Sequence, residues 1–131
     1  MIFTSNFKIA GHLPNTIAVC RSVPRGWPGP RLPPLAPSRE LLKMGINREV
    51  DVKTWAVLYK QQVLDKLTPE AVLDALGGDN FIMLCWEPPG EPCHRRYIAI
   101  WLKLTLGLEI PELDLNLKTH RKILKEWGAA I

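Results

Sequence analysis

Residues 85–95 read Cys85-Trp-Glu87-Pro-Pro-Gly-Glu-Pro-Cys93-His94-Arg95, which puts two thiols, an imidazole, two carboxylates and a guanidinium into one short stretch. Three chemistries suit such a set. Arg95, with Arg21, Arg25 and the unpaired backbone amides of a helix start, can hold a phosphate or a nucleic-acid backbone. Cys93 can serve as a nucleophile or redox thiol with His94 or Glu87 handling protons, because a thiol at a helix start beside His and Arg ionises more readily than an isolated one. Cys85, Cys93 and His94 can ligate zinc or iron, with Cys20 as a fourth ligand. Adjacent Cys-His is not a recognised metal spacing, so the metal reading ranks third, and no metal and no cofactor are expected. Each reading has a plain competitor. Cys20 and Cys85 lie in apolar runs, where a cysteine usually packs as a small hydrophobe, and a histidine is more often a hydrogen-bonding residue than a ligand.

The elements that must position these residues are a strand, a loop and a helix. Asn80-Phe-Ile-Met-Leu-Cys-Trp86 is continuously apolar, as in a central strand covered on both faces. After a Pro88-Pro89-Gly90 turn, a helix runs from about Pro92 to Leu106 and ends at Gly107, with apolar residues around nearly its whole circumference. Ile17-Ala-Val-Cys-Arg-Ser22 reads as a second buried strand. Prolines 24, 28, 30, 33, 34 and 37 then exclude helix and ladder from the loop 23–37, which carries Arg25 and Trp27. A structureless loop this long tends to be functional. Trp27 is a candidate contact residue there, although packing onto the domain is the commoner use of a tryptophan.

The rest of the chain supplies the frame. Met1 to Phe7 reads as a first strand. Ser38 caps a helix over Arg39–Met44 stopped by Gly45, and Trp55, Leu58, Tyr59, Val63 and Leu67 mark an amphipathic helix of about four turns. Thr68-Pro69 starts another, ended by Gly77-Gly78. Ile110 to Leu113 suits an edge strand because of Pro111. Residues 116–127 form a basic amphipathic helix. Strands alternating with helices predict an α/β domain, a small mainly parallel sheet with helices packed on both faces, over residues 1–115, followed by the C-terminal helix in 116–131. In such a sheet ligands bind beyond the carboxyl ends of strands, where Cys20, Arg21, Arg25, Cys85, Cys93, His94 and Arg95 converge if the two strands are neighbours.

Composition bounds the rest. The chain has 131 residues, 47% hydrophobic and 23% charged, enough to bury one core. No apolar run approaches the ~20 residues of a membrane span, so no membrane partner is expected. The first residues lack the pattern of a secretory signal, and three cysteines suit free thiols in a cytoplasmic protein. The net charge of +4 is concentrated. Residues 21–48 hold six basic residues against the single Glu40, which suggests an anionic partner for that surface as readily as a solvated loop.

Three stretches resemble the uncharacterised proteins of domain-of-unknown-function family 488: Cys20-Arg21-Ser-Val-Pro24-Arg25-Gly26-Trp27, Leu35-Ala36-Pro37-Ser38, and Leu84-Cys85-Trp86-Glu87 followed by Cys93-His94-Arg95. With the helices between them they span most of residues 16–113. The Cys-x-Glu and Cys-His-Arg pairing, in that order, is the more specific part. The resemblance implies a compact α/β protein of bacteria, archaea or their phages, mostly cytoplasmic. It supplies no activity, and it transfers emphasis to Arg21, Arg25, Cys85, Glu87, Cys93, His94 and Arg95. The linker Pro88-Pro89-Gly-Glu-Pro92 is stiffer than the loops of such proteins.

The expected function is binding, with or without processing, of a phosphate-bearing ligand such as a nucleotide or nucleic acid at the crevice beyond the strand ends. Arg21, Arg25 and Arg95 would hold the anion, with Trp27 as a contact and Cys93, His94 and Glu87 at its edge. The alternatives are a thiol-dependent enzyme with Cys93 as nucleophile, or a non-catalytic module binding a protein partner through the proline-rich loop.

Overall fold

Side chains alternate between the two faces of a strand, so a strand apolar at every position must be covered on both sides. The computed structural model, which describes residues 1–87 and 93–131, contains three strands, β1 (Ile2–Asn6), β2 (Thr16–Ala18) and β3 (Phe81–Cys85), of which β3 is apolar throughout. They form a parallel sheet in the order β1-β3-β2, with Ile2 opposite Phe81 and Ile17 opposite Met83. The strand with the longest apolar run is the central one. Ile2, Ile17, Phe81 and Met83 face one core, and Phe3, Ile82 and Leu84 face another.

Helices cover both faces, as expected. Around the sheet stand α1 (Phe7–Ala10), α2 (Arg39–Ile46), α3 (Val52–Gln62), α4 (Pro69–Ala75), α5 (His94–Leu106) and α6 (Lys118–Glu126). The first face packs against Tyr59 of α3, Val72 of α4 and Ile98 and Leu102 of α5. The second packs against Ala10 of α1 and Leu124 of α6, so the basic C-terminal helix buries its apolar stripe on the same domain. Side-chain caps start four helices: Asn6, Ser38, Asp51 and Thr68 accept from the amides of Ile9, Leu41, Thr54 and Ala71. Among the described residues no helix is long and apolar enough to cross a membrane.

Several boundaries differ from those read in the sequence, for identifiable reasons. The second strand stops at Ala18: Val19 still donates to the Leu84 carbonyl, but the chain bends at Cys20. Prolines do not keep the 23–37 loop out of the ladder. Arg31 bridges Ala18, with Ala18 donating to the Pro30 carbonyl and Leu32 donating back, so proline is asked only for the acceptor it has. The same device joins Glu112 to Thr4 through the Pro111 carbonyl, which is all that remains of the predicted edge strand. Gly45 does not stop α2, which runs through it to Ile46. The left-handed turn falls instead on Arg48, at φ 53°. The long amphipathic helix is broken after Gln62 and continues as a 3-10 turn over Leu64–Lys66. Nor is α5 buried all round, since Leu104 is 80% exposed. The Pro88-Pro89-Gly90 turn and the predicted helix start at Pro92 lie outside the described residues.

Candidate functional site

Parallel pairing of β2 with β3 brings the segments following both strands to one end of the sheet. Cys20 and Cys85 therefore meet there, and Cys93 joins them from the start of α5 in one buried cluster of free thiols. Cys93 is the N-cap residue of α5, with extended backbone at φ −150° and ψ 145°. Its side chain makes no capping bond, so the thiol is left to face the cluster.

His94, the first residue of α5, is buried and ties the cluster together. Its Nε2 lies 2.7 Å from the carbonyl oxygen of Val19. A carbonyl only accepts, so Nε2 carries the proton and Nδ1 presents its lone pair. That nitrogen stands 3.6 Å from Cys85 Sγ and 3.9 Å from Cys93 Sγ. The imidazole ring packs against Tyr59, with ring centroids 5.6 Å apart, and the Tyr59 hydroxyl donates to the Leu35 carbonyl at 2.6 Å. Cys85 donates to Glu87 Oε2 at 3.2 Å, and Cys20 donates to the Ser22 carbonyl at 2.9 Å, an oxygen shared with the Trp86 indole.

These contacts set the protonation of the site. The neighbouring Cys85 thiol, then burial, pushes the Cys93 thiol well above the ordinary cysteine range. Cys85 is also pushed up, mainly by its contact with Cys20, whose own thiol is lowered by the hydrogen bond from Cys85. Burial acts against an ionised Glu87, but hydrogen bonds from Cys93 and Cys85 outweigh it and hold the carboxyl below the usual range. The site at neutral pH thus holds neutral Cys85 and Cys93 thiols beside an ionised carboxylate.

Glu87 and His94 also line a cavity of about 780 Å³ beyond the carboxyl end of β3. Its walls include Trp55 and Tyr97, whose rings lie 5.9 Å apart, and its rim carries Arg48, Glu49 and Asp51. The volume falls in the ~300–1,000 Å³ range of small-molecule sites. Trp55 is fixed by stacking on Tyr59 at 5.5 Å and by donating its indole N–H to the Leu41 carbonyl at 2.8 Å. It approaches α2 over Gly45, where a Cβ would come within 2.8 Å of the indole nitrogen.

The arginines are distributed differently from the thiols. Arg95 is fully buried, with Nη2 2.7 Å from Glu112 Oε1 and Nε 3.2 Å from the same oxygen. Its Nη1 is buried with no hydrogen-bond partner among the described residues. Arg96 donates to Thr4 Oγ1 at 2.7 Å and to the Ile110 carbonyl at 2.9 Å. Arg21 and Arg25 are exposed on the loop after Cys20, and neither lines the cavity. Trp27 donates its indole N–H to the Gly11 carbonyl at 2.9 Å and packs edge-on against Phe7, so it is committed to the domain.

Sequence reading missed the cavity residues Arg48, Trp55 and Tyr97, and the Glu112 partner of Arg95. Trp55 and Tyr97 sit on apolar helix faces, where spacing marks them as core. Arg48 carries one sequence signal, a bulky residue where the end of α2 asks for a left-handed turn.

A family model described as "DUF488-N3a: Active DUF488-N3 subclade" matches residues 12–106, which contain all three stretches of the resemblance. No curated protein and no solved structure matches the chain.

Proposed function

We propose that the chain, which belongs to the DUF488 family, binds a nucleotide-sized, phosphate-bearing ligand in the cavity at the carboxyl end of β3 and acts on it there. One observation carries the reading: the cavity combines aromatic walls, Trp55 and Tyr97, with a carboxylate and an imidazole, Glu87 and His94, and with the rim cation Arg48. A flat base stacks on aromatic rings, a sugar hydroxyl donates to a carboxylate, and a phosphate takes a guanidinium. Glu49 and Asp51 share this exposed rim, where solvent and salt screen their repulsion of a phosphate held by Arg48.

In this reading Glu87, already ionised, handles the ligand's proton, and His94 orients the floor of the site. Cys93 is not the attacking group, because a thiol pushed up by its neighbour and by burial offers little thiolate. Arg95 supports the site from behind through Glu112, and Arg21 and Arg25 are left to guide anions toward the domain from its surface.

Isothermal titration with nucleosides and nucleoside monophosphates tests the proposal. The expected result is binding that weakens on Trp55→Ala and on Glu87→Gln, with the phosphate adding affinity that falls as salt is raised. Absence of binding by every nucleoside and nucleotide at millimolar concentration would overturn it.

A further inference from the structure

We propose that Cys85, Cys93 and His94 bind a zinc ion, with its fourth position on the side of Glu87. The three donor atoms all lie within 4.8 Å of one another in the described structure, and all three residues are buried. With Zn–S of about 2.3 Å and Zn–N of about 2.05 Å, tetrahedral angles put sulfur and nitrogen about 3.6 Å apart. Cys85 Sγ and Cys93 Sγ stand 3.6 Å and 3.9 Å from His94 Nδ1, close to that spacing, but Cys85 Sγ is also 4.0 Å from Nε2 and so lies beside the ring, and ligation requires the Cys85 side chain to move onto the Nδ1 side.

The tautomer is already correct. Val19 takes the Nε2 hydrogen bond at 2.7 Å, which leaves Nδ1 unprotonated on the side of the ring where the two thiols gather. Metal-bound histidines are held in just this way, by a carbonyl or carboxylate on the far ring nitrogen.

Two thiolates and an imidazole select zinc over magnesium or calcium. On binding, the two thiols release their protons to solvent and His94 contributes only a lone pair, so ion and thiolates balance in charge. Cys20 stays outside the set, since its thiol is engaged by the Ser22 carbonyl at 2.9 Å. Three protein ligands leave the fourth position open, as in zinc sites that meet a ligand, and Glu87 lines the cavity on that side. The spacing of adjacent Cys93 and His94, which argues against a metal in the sequence, is overcome because Cys85 reaches the pair from the end of a different element.

The experiment is metal analysis of protein purified without chelator, together with cobalt titration of metal-stripped wild-type protein. The proposal expects about one zinc per chain, lost in Cys85→Ser and in Cys93→Ser and kept in Cys20→Ser. Cobalt should give a thiolate charge-transfer band and the intense visible bands of a tetrahedral ion. A cobalt spectrum like that of the hydrated ion overturns the site even where the variants fail to fold. Zinc that survives both Cys85→Ser and Cys93→Ser, or disappears in Cys20→Ser, overturns this set of ligands. None of these readouts depends on whether a nucleotide binds in the cavity.

Discussion

His94 Nε2 donates to the main-chain carbonyl of Val19 across 2.7 Å, joining the first turn of α5 to the residue after β2. The bond spans 75 residues of chain and fixes both the orientation and the tautomer of the ring on which the cluster depends. His94→Phe keeps an aromatic ring against Tyr59 but leaves the buried Val19 carbonyl without its donor. A loss of about 1–3 kcal/mol of unfolding free energy is expected from urea denaturation. A change below about 0.5 kcal/mol would mean that another donor takes over the carbonyl.

Arg48 adopts φ 53° at the end of α2, where Glu49 donates back to the Met44 carbonyl. A side chain in the left-handed region costs about 1–2 kcal/mol, and glycine removes that cost. Arg48→Gly should therefore raise the melting temperature while weakening nucleotide binding by about tenfold, the equivalent of ~1.4 kcal/mol. Calorimetric melting and titration on the same sample separate the two effects. Unchanged affinity would remove Arg48 from the phosphate site.

Gly45 admits the Trp55 indole, since a Cβ there would stand 2.8 Å from its nitrogen. In Gly45→Ala the ring must shift or lose its 2.8 Å bond to the Leu41 carbonyl. Overpacking of this kind costs about 1–3 kcal/mol, against a gain of ~1 kcal/mol in helix propensity. A small net destabilisation, a shift in tryptophan fluorescence and weaker ligand binding are expected together. A variant that is more stable, with unaltered fluorescence, would show that the ring has room to move.

Glu112 holds Arg95 at 2.7 Å and also accepts from Thr4. Glu112→Ala leaves a fully buried guanidinium unpaired, and about 3 kcal/mol of stability should be lost, the lower end of the range because Glu112 is 23% exposed. Replacing both residues by apolar ones of similar size should recover much of it. A double-mutant cycle by chemical denaturation measures the coupling.

Asp51 caps α3, the helix that carries Trp55, and the hydrogen bond from the Thr54 amide holds its carboxyl below the usual range. The unfolded chain binds the proton first, so this contribution is present above the ordinary aspartate pKa of ~3.9 and is lost as pH falls through the lowered folded value. Asp51→Asn keeps an acceptor that does not titrate. Its melting temperature should fall less steeply than wild type on acidification below that point, and parallel profiles would place the acid sensitivity elsewhere.

The sequence by itself determined the elements and their partners in kind. An unbroken apolar run can only be a covered strand, so β3 was legible as the centre of the sheet, and the caps Ser38 and Thr68 marked two helix starts. The grouping of Cys85, Cys93 and His94 was legible because they flank one strand-loop-helix unit. Tertiary structure decided what lies around them. Whether Arg95 faces a ligand or Glu112 depends on a partner 17 residues downstream, brought to β1 by a bridge through the Pro111 carbonyl. Trp55 and Tyr97 look like core residues in a helical pattern, because periodicity reports which side of a helix is apolar and not whether that side meets another element or a cavity. The Val19 carbonyl is invisible to any reading of side chains. Only the parallel register of β2 on β3 sets it opposite His94, and with it the direction in which the imidazole offers its lone pair.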